Sequence, residues 1–156
     1  MIYFNYETDF NLDNEDALSK WISDVIISEY KKEGELNYIF CDDDYLHKIN
    51  MEHLGHDTLT DIISFDYSMG NELHGDLFIS IERVKENALD FSVSFEEELK
   101  RVIVHGILHY CGYKDKTEAD SLLMRSKEDE KIAMFHVEHN IKFGFWFSLT
   151  TLKLFV

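Results

Sequence analysis

The segment SFEEELKRVIVHGILHYCGYKD, residues 94–115, predicts the element around which the domain is organised. Ser94 followed three residues later by Glu97 is a capping-box pattern, so we expect a helix to begin there. The apolar residues that follow recur at the spacing of an amphipathic helix. Gly112 is well placed to end this helix in a left-handed turn.

Two histidines on this helix predict a metal site. His105 and His109 are four residues apart, so both imidazoles project from one face and can converge on a single cation. After Gly112 the backbone can fold back and bring the Asp115 carboxylate to the same point. Gly106 costs a helix about 1 kcal/mol relative to alanine, which indicates that something approaches the backbone closely there. We therefore expect these two histidines and Asp115 to hold one Zn²⁺ and to leave a fourth position open.

The histidine pair also admits other interpretations. Pairs at this spacing occur in helices that bind no metal. Two histidines and a carboxylate match the non-haem iron triad of oxygenases, but that triad is expected on a β-rich barrel rather than on a helix. Gly106 occupies the position of the general-base glutamate of zinc peptidases, so peptide hydrolysis of that type is not supported. Cys111 would face another side of the helix, and we expect a small buried thiol.

Composition narrows the class of protein. A chain of 156 residues with 45% hydrophobic residues is expected to form one domain with a real core. Its formal net charge of -16 argues against tight, nonspecific binding of nucleic acid, because such binding depends on lysine and arginine. Two cysteines are too few for a disulfide framework, and no secretory signal pattern is present, so we expect a cytoplasmic location.

Hydrophobic periodicity and turn residues predict an α+β fold. Strands are expected at residues 1–6, 35–41, 60–67 and 75–80, the last two forming a hairpin, and helices at residues 13–32, 42–54, 81–91, 94–111 and 117–134. Gly34 is expected to end the first helix. This order predicts a single domain with a mixed, mostly four-stranded sheet and about five helices, with the metal site on a helix and the turn after it.

Acidic and apolar residues predict which helix faces are buried. The acidic runs at residues 96–98 and 128–130 are interpreted as solvated faces. On the final helix, Leu122, Leu123 and Ile132 are the predicted buried positions.

Three motifs, in their order and spacing, resemble the YbeY family of metal-dependent, single-strand-specific endoribonucleases. They are HGILHYCGY at residues 105–113, TDIISF at 60–65 and GDLFIS at 75–80, similar to the family's HGxLHxxGY, TDVLSF and GDIxIS. The resemblance covers most of residues 36–135 and implies a zinc enzyme of ribosomal RNA maturation and ribosome quality control. It implies single-stranded or ribosomal RNA, and ribosomal subunits or assembly factors, as partners; we expect neither DNA nor a membrane.

The chain departs from the family pattern at two positions. Asp115 stands where the family commonly has a third histidine; a carboxylate can also bind zinc, but it reduces the Lewis acidity of the ion. Leu54 matches the position of an arginine that is implicated in activity. His53 or His56 could replace its polar group, or each could be an ordinary surface histidine.

Two aspartates in the matched motifs are candidates for further roles in catalysis, and one alternative to an enzyme is also open. Asp61 and Asp76 are candidates for a general base or for supporting the ligands, although at strand ends they could equally be turn or capping groups. The missing arginine and the acidic surface are also compatible with a noncatalytic ribosome-assembly factor that has a structural metal.

The extent of the resemblance and the apolar character of the C-terminal residues predict a domain followed by an extension. We expect a metal-dependent hydrolase-like domain at residues 1–139 and an apolar extension of unassigned role at residues 140–156. The extension is shorter than the roughly 20 apolar residues that a membrane-spanning helix requires.

Overall fold

A mixed four-stranded sheet forms the centre of the computed structural model, which describes residues 1–152 and the side chains of residues 1–135. The strands are β1 (Ile2–Tyr6), β2 (Lys32–Cys41), β3 (Ile62–Asp66) and β4 (Glu72–Ser80), in the order β1-β2-β4-β3. The pairs β1/β2 and β2/β4 are parallel, and β3/β4 is antiparallel. The predicted mixed sheet and its hairpin are therefore confirmed.

Five helices accompany the sheet, as predicted for this α+β fold. They are α1 (Glu15–Ser28), α2 (Asp43–Ile49), α3 (Ile81–Asp90), α4 (Phe95–Tyr110) and α5 (Glu118–Leu152). Residues 42–54, predicted as one helix, form α2 followed by a wider π-helical turn at Asn50–Leu54. The extension predicted at residues 140–156 lies outside the residues whose side chains are described. In the described part of the chain, no helix combines the length and apolar character that a bilayer crossing needs.

The main core lies between one face of the sheet and the layer of α1, α4 and α5. Leu36, Tyr38 and Phe40 of β2 and Leu77 and Ile79 of β4 are fully buried in it. A smaller cluster on the opposite face packs around Leu46 of α2. The sheet therefore has a fully covered face and a partly covered one, because side chains alternate along each strand.

The central helix α4 begins and packs as its sequence predicts. The Ser94 hydroxyl accepts a hydrogen bond from the Glu97 amide at 3.1 Å, which confirms the predicted cap. Gly106 faces β4, where an added Cβ atom would lie 2.3 Å from Leu77 Cδ2 and 3.0 Å from Ile62 Cδ1. The predicted close approach is therefore that of the sheet, and glycine allows α4 to lie against it.

The prediction that Gly34 ends the first helix is wrong. Helix α1 ends at Ser28, and the chain turns through Tyr30, whose φ is 58°. Gly34 lies inside β2 at a register irregularity, where an added Cβ would be 2.4 Å from the Leu73 carbonyl oxygen. A glycine required for close approach of two strands gives the same local signal as a helix terminator.

The buried face of α5 also differs from its prediction. Ile132 is buried as expected, but Leu122 is 67% exposed and Leu123 is 50% exposed. Met124, Glu128 and Ile132, at intervals of four residues, turn toward the interior instead. Glu98 and Glu128, interpreted from sequence as parts of solvated faces, are buried at 4% and 5% exposure.

Candidate metal centre

Three ligand atoms from α4 and the following turn converge on one point. The Nε2 atoms of His105 and His109 are 3.0 Å apart, because one helical turn separates the two rings. Asp115 Oδ2 lies 3.2 Å from His109 Nε2 and 3.3 Å from His105 Nε2. The structure thus brings together all three residues that the sequence predicts as ligands.

The separations of these atoms fit a small divalent cation. Ligands about 2.0–2.1 Å from a tetrahedral zinc lie about 3.3 Å from one another, close to the three distances here. Two imidazoles, when neutral, and a carboxylate can each direct a lone pair at the point that these three atoms share. Imidazole and carboxylate are also donor types that zinc accepts. This donor set therefore fits a zinc ion by both geometry and chemistry.

The turn after α4 delivers the Asp115 carboxylate. Gly112 has φ of 102°, in the left-handed region that favours glycine. The Gly112 amide donates to the His109 carbonyl oxygen and the Tyr113 amide to the Leu108 carbonyl oxygen, each at 3.0 Å. These bonds close the end of the helix and return the chain toward its last turn. The predicted helix end at Gly112 is confirmed.

The Nδ1 atom of each histidine, which does not face the other two triad residues, has a different neighbouring group. His109 Nδ1 lies 2.9 Å from the carbonyl oxygen of Tyr113, which accepts the ring N–H. His105 Nδ1 lies 3.6 Å from Glu128 Oε1 of α5. Sequence reasoning missed Glu128 because it stands in an acidic run. Its spacing of four residues from the apolar Met124 and Ile132 was the available signal.

Charges around His105 shift ionisation equilibria in the site. Burial disfavours the charged imidazole, but the negative charges of Glu128, Asp115 and Asp61 outweigh burial and raise the pKa of His105. Burial raises the pKa of Asp61, and the nearby His105 partly opposes this rise. The site therefore combines a histidine that gains protons readily with a carboxyl group that holds its proton more tightly than usual.

The two candidate aspartates lie on different sides of the sheet. Asp61 precedes β3 and interacts electrostatically with His105. Its backbone carbonyl accepts from the Ser80 amide at 2.9 Å. Asp76 lies on the sheet face opposite α4 and accepts a hydrogen bond from Asn37 Nδ2 at 3.0 Å. The structure thus places Asp61 within electrostatic range of His105 and leaves Asp76 on the other face of the sheet.

The remaining positions singled out from the sequence lie outside the triad. Leu54, His53 and His56 are exposed, and the His53 ring packs edge-on against Phe65. Cys111 is a half-buried free thiol, and burial raises its pKa to about 11, so it remains protonated at neutral pH.

Comparisons with known proteins agree with the fold and the motifs. The sequence pattern of the family described as Endoribonuclease YbeY matches residues 3–136. The Endoribonuclease YbeY of Flavobacterium johnsoniae is 75% identical over 138 residues, covering 88% of this chain and 99% of that protein. The one from Flavobacterium psychrophilum is 68% identical over 140 residues, covering 90% of this chain and 100% of that protein.

A comparison with solved structures also finds a protein with a similar fold. The solution structure of a Thermotoga maritima protein aligns with a TM-score of 0.67 at 26% identity, covering 91% of this chain and 93% of that one. Together with the sequence matches over almost the full length of the relatives, this likeness establishes that the chain belongs to the YbeY endoribonuclease family.

Proposed function

We propose that this chain is a zinc-dependent endoribonuclease that cleaves single-stranded RNA during ribosomal RNA maturation and ribosome quality control. The observation that carries the proposal is the convergence of His105, His109 and Asp115 in a family whose members are named endoribonucleases. In this proposal the three side chains hold one zinc ion, and ribosomal RNA, ribosomal subunits or assembly factors are the partners in the cytoplasm.

The chemistry of phosphodiester hydrolysis matches this set of residues. A bound zinc ion would supply a Lewis acid for the phosphate and acidify water near neutral pH. His105 and His109 contribute neutral donors, and Asp115 neutralises one of the two positive charges. Asp61 is our candidate for holding or accepting a proton beside the centre, because its buried carboxyl group has a raised pKa. Asp76, on the opposite face of the sheet, has no role in this proposal.

The surface around the triad suits a polymer substrate with few phosphate contacts. All three ligands are partly accessible, so a strand can reach them without opening the domain. Lys114 and Lys116 flank Asp115 and are exposed. These two cations are our candidates for phosphate contacts in a chain whose net charge is otherwise strongly negative. Single-stranded RNA, whose backbone can bend into a local site, is the matching substrate class.

A noncatalytic assembly factor is the second candidate. Leu54 is exposed and apolar at the position matched to the family's arginine, so the corresponding phosphate contact is missing there. In this alternative the metal only ties α4 to the turn after it. An iron oxygenase is a weaker candidate, since the histidines lie on a helix of this family's α+β fold.

A cleavage assay with matched variants tests the proposal. Zinc-loaded protein is incubated with end-labelled single-stranded RNA and with the same RNA annealed to its complement, and the metal content is measured by mass spectrometry. We compare wild type with His109→Ala and with His74→Ala, a histidine on the opposite face of the sheet. We expect wild type and His74→Ala to cleave the single strand and His109→Ala to lose cleavage together with zinc.

Three results would contradict the endoribonuclease proposal. Equal cleavage by all three proteins would identify a contaminating nuclease. Stoichiometric zinc in wild type without any cleavage of the single strand would favour the assembly factor. Stoichiometric iron in the protein as purified, before zinc is added, would favour the oxygenase.

A further inference from the structure

We propose that Glu128 is a positioning residue that sets the tautomer and orientation of His105 for metal binding, and that Arg101 supplies the countercharge for Glu128. The proposal rests on the proposed function, because it concerns the same candidate centre. It assigns a role to the one described carboxylate that faces the outer nitrogen of a ligand histidine.

The position of Glu128 is the first argument. Its side chain is buried on the inner face of α5, with Oε1 3.6 Å from His105 Nδ1 and Oε2 3.7 Å from an Arg101 guanidinium nitrogen. Among the described residues, Glu128 Oε2 and Arg101 Nη1 are buried polar atoms without a hydrogen-bond partner. Burying such groups costs free energy that packing alone would not justify. An apolar residue at this position would avoid this cost.

The charge of Glu128 selects one tautomer of His105. At 3.6 Å the contact is longer than a hydrogen bond, so it acts through electrostatics. The carboxylate attracts the positive end of an Nδ1–H group and repels a lone pair at Nδ1. When a cation occupies the triad, the His105 ring beside Glu128 therefore carries its proton on Nδ1 and directs the Nε2 lone pair at the cation. Metal-bound histidines generally have such a partner at the other ring nitrogen.

The two ligand histidines differ in how this partner is supplied. For His109 it is the backbone carbonyl of Tyr113, which no side-chain substitution removes. For His105 it is a side chain from another helix, contributed across the α4/α5 contact. Substitution of Glu128 therefore affects one ligand while the other keeps its orientation.

Arg101 lies one turn before His105 and compensates the buried negative charge. Its guanidinium group also contacts Asp129 Oδ1 at 2.9 Å and Glu97 Oε1 at 3.8 Å. Arg101 is 8% exposed, so its charge is screened only weakly by water. This cation bridges α4 and α5 and holds the Glu128 carboxylate near Nδ1 of His105.

Zinc affinity with matched variants tests the proposal. Affinity is measured at pH 7 by competition with a chromophoric chelator for wild type, Glu128→Gln, Glu128→Asp and Asp129→Asn. Glutamine keeps the shape and loses the charge, whereas Asp129 is an exposed neighbour that contacts the same arginine. We expect Glu128→Gln to bind zinc 10- to 100-fold more weakly, Glu128→Asp to recover part of this loss, and Asp129→Asn to stay within about threefold of wild type.

A tautomer measurement keeps the proposal testable if a variant fails to fold. Long-range ¹H–¹⁵N spectra of the imidazole rings of the zinc-loaded protein at pH 7 should show His105 of wild type protonated on Nδ1 and bound through Nε2. A mixture of tautomers is expected in Glu128→Gln, with His109 unchanged. A merely structural role for Glu128 would change thermal stability without moving this ratio.

The outcomes separate this inference from the proposed function. Wild type that does not bind zinc contradicts both. Wild type that binds zinc, with folded Glu128→Gln binding within threefold of it, contradicts only the role of Glu128. Zinc-loaded wild type in which His105 binds through Nδ1 and carries its proton on Nε2 also overturns that role.

Discussion

Asp115 stands at the position where the sequence motif of the family commonly has a third histidine. Two neutral imidazoles and one carboxylate leave a bound zinc ion with a net charge of about +1, whereas three imidazoles would leave about +2. The less positive ion acidifies water less strongly. This one side chain is therefore expected to determine the pH at which the enzyme becomes active.

Replacement of Asp115 tests this effect directly. We expect zinc-loaded Asp115→His to reach half of its maximal cleavage rate about one pH unit lower than wild type, because the ion carries more positive charge. The check is the pH dependence of RNA cleavage between pH 5.5 and 9. Asp115→Asn is the control, since it removes the charge without adding an imidazole, and we expect it to weaken zinc binding. An unchanged midpoint in Asp115→His would contradict this explanation.

Gly106 is a second position at which a single substitution is expected to change the free energy of unfolding. Alanine would gain about 1 kcal/mol of helix propensity, but its Cβ would collide with Leu77, at an overpacking cost of about 1–3 kcal/mol. We expect Gly106→Ala to lower the free energy of unfolding by about 1 kcal/mol in urea titrations. The exposed Ser126→Ala on α5 is the control and should raise stability slightly. A more stable Gly106→Ala would mean that the helix and sheet can move apart without cost.

At the scale of elements, α5 holds the parts of the centre together. Glu128 of α5 reaches α4, while Lys127 and Lys131 of α5 reach Glu29 at the end of α1. Glu29 also accepts a hydrogen bond from the Tyr113 hydroxyl at 3.0 Å, in the segment that leads to Asp115. The position of Asp115 therefore depends on contacts among three helices.

Glu29 provides a test of this link through pH. Burial alone would raise its pKa, but hydrogen bonds from Lys131 and Tyr113 hold it below its ordinary value. A lowered folded-state pKa stabilises the fold at pH values above the unfolded value of about 4.3, and this contribution is lost as pH falls through the folded-state pKa. We expect Glu29→Gln to cost about 2 kcal/mol at pH 7 and much less at pH 3.5.

Urea unfolding of wild type and Glu29→Gln at both pH values measures this difference. Glu130→Gln is the control, because Glu130 contacts the same two lysines from an exposed position. An equal loss of stability at pH 7 and pH 3.5 would show that the effect of Glu29 does not come from its charge.

At the scale of the whole molecule, charge limits how RNA can be bound. The chain carries 31 acidic and 15 basic residues, so a long basic groove is not available to it. Lys114 and Lys116 beside Asp115 make no ion pair among the described residues. We therefore expect affinity to come from a short contact around the centre rather than from general attraction.

Salt dependence measures the number of phosphate contacts. For two contacts on a single strand, the slope of log K against log salt concentration is about -1.4. We expect this slope for His109→Ala protein, which should bind without cleaving, and a slope near zero when Lys114→Ala and Lys116→Ala are added. Fluorescence anisotropy with labelled RNA between 50 and 300 mM KCl is the measurement. A slope steeper than about -4 would place the main RNA contacts elsewhere on the chain.

The fold of this protein and its candidate metal-binding residues follow largely from local patterns. The cap at Ser94, the histidine spacing and the left-handed Gly112 involve residues close together in sequence, so helix geometry alone relates them. The predicted roles of Gly34 and Leu122 were wrong because neither depends on local geometry. Gly34 is required by the approach of a neighbouring strand, and Leu122 is exposed because of the direction from which α5 packs.

What the sequence by itself determined was the α+β class, the helix that carries the centre and the three residues that converge on it. Only the tertiary structure decided that Glu128 faces Nδ1 of His105, that Asp61 interacts electrostatically with His105 and that Asp76 lies on the opposite face of the sheet. The physical reason is that each of these positions depends on contacts between elements that are far apart in the sequence. Their distances depend on how α5 and the sheet pack against α4, and hydrophobic burial, which drives that packing, has no direction that a local pattern can specify.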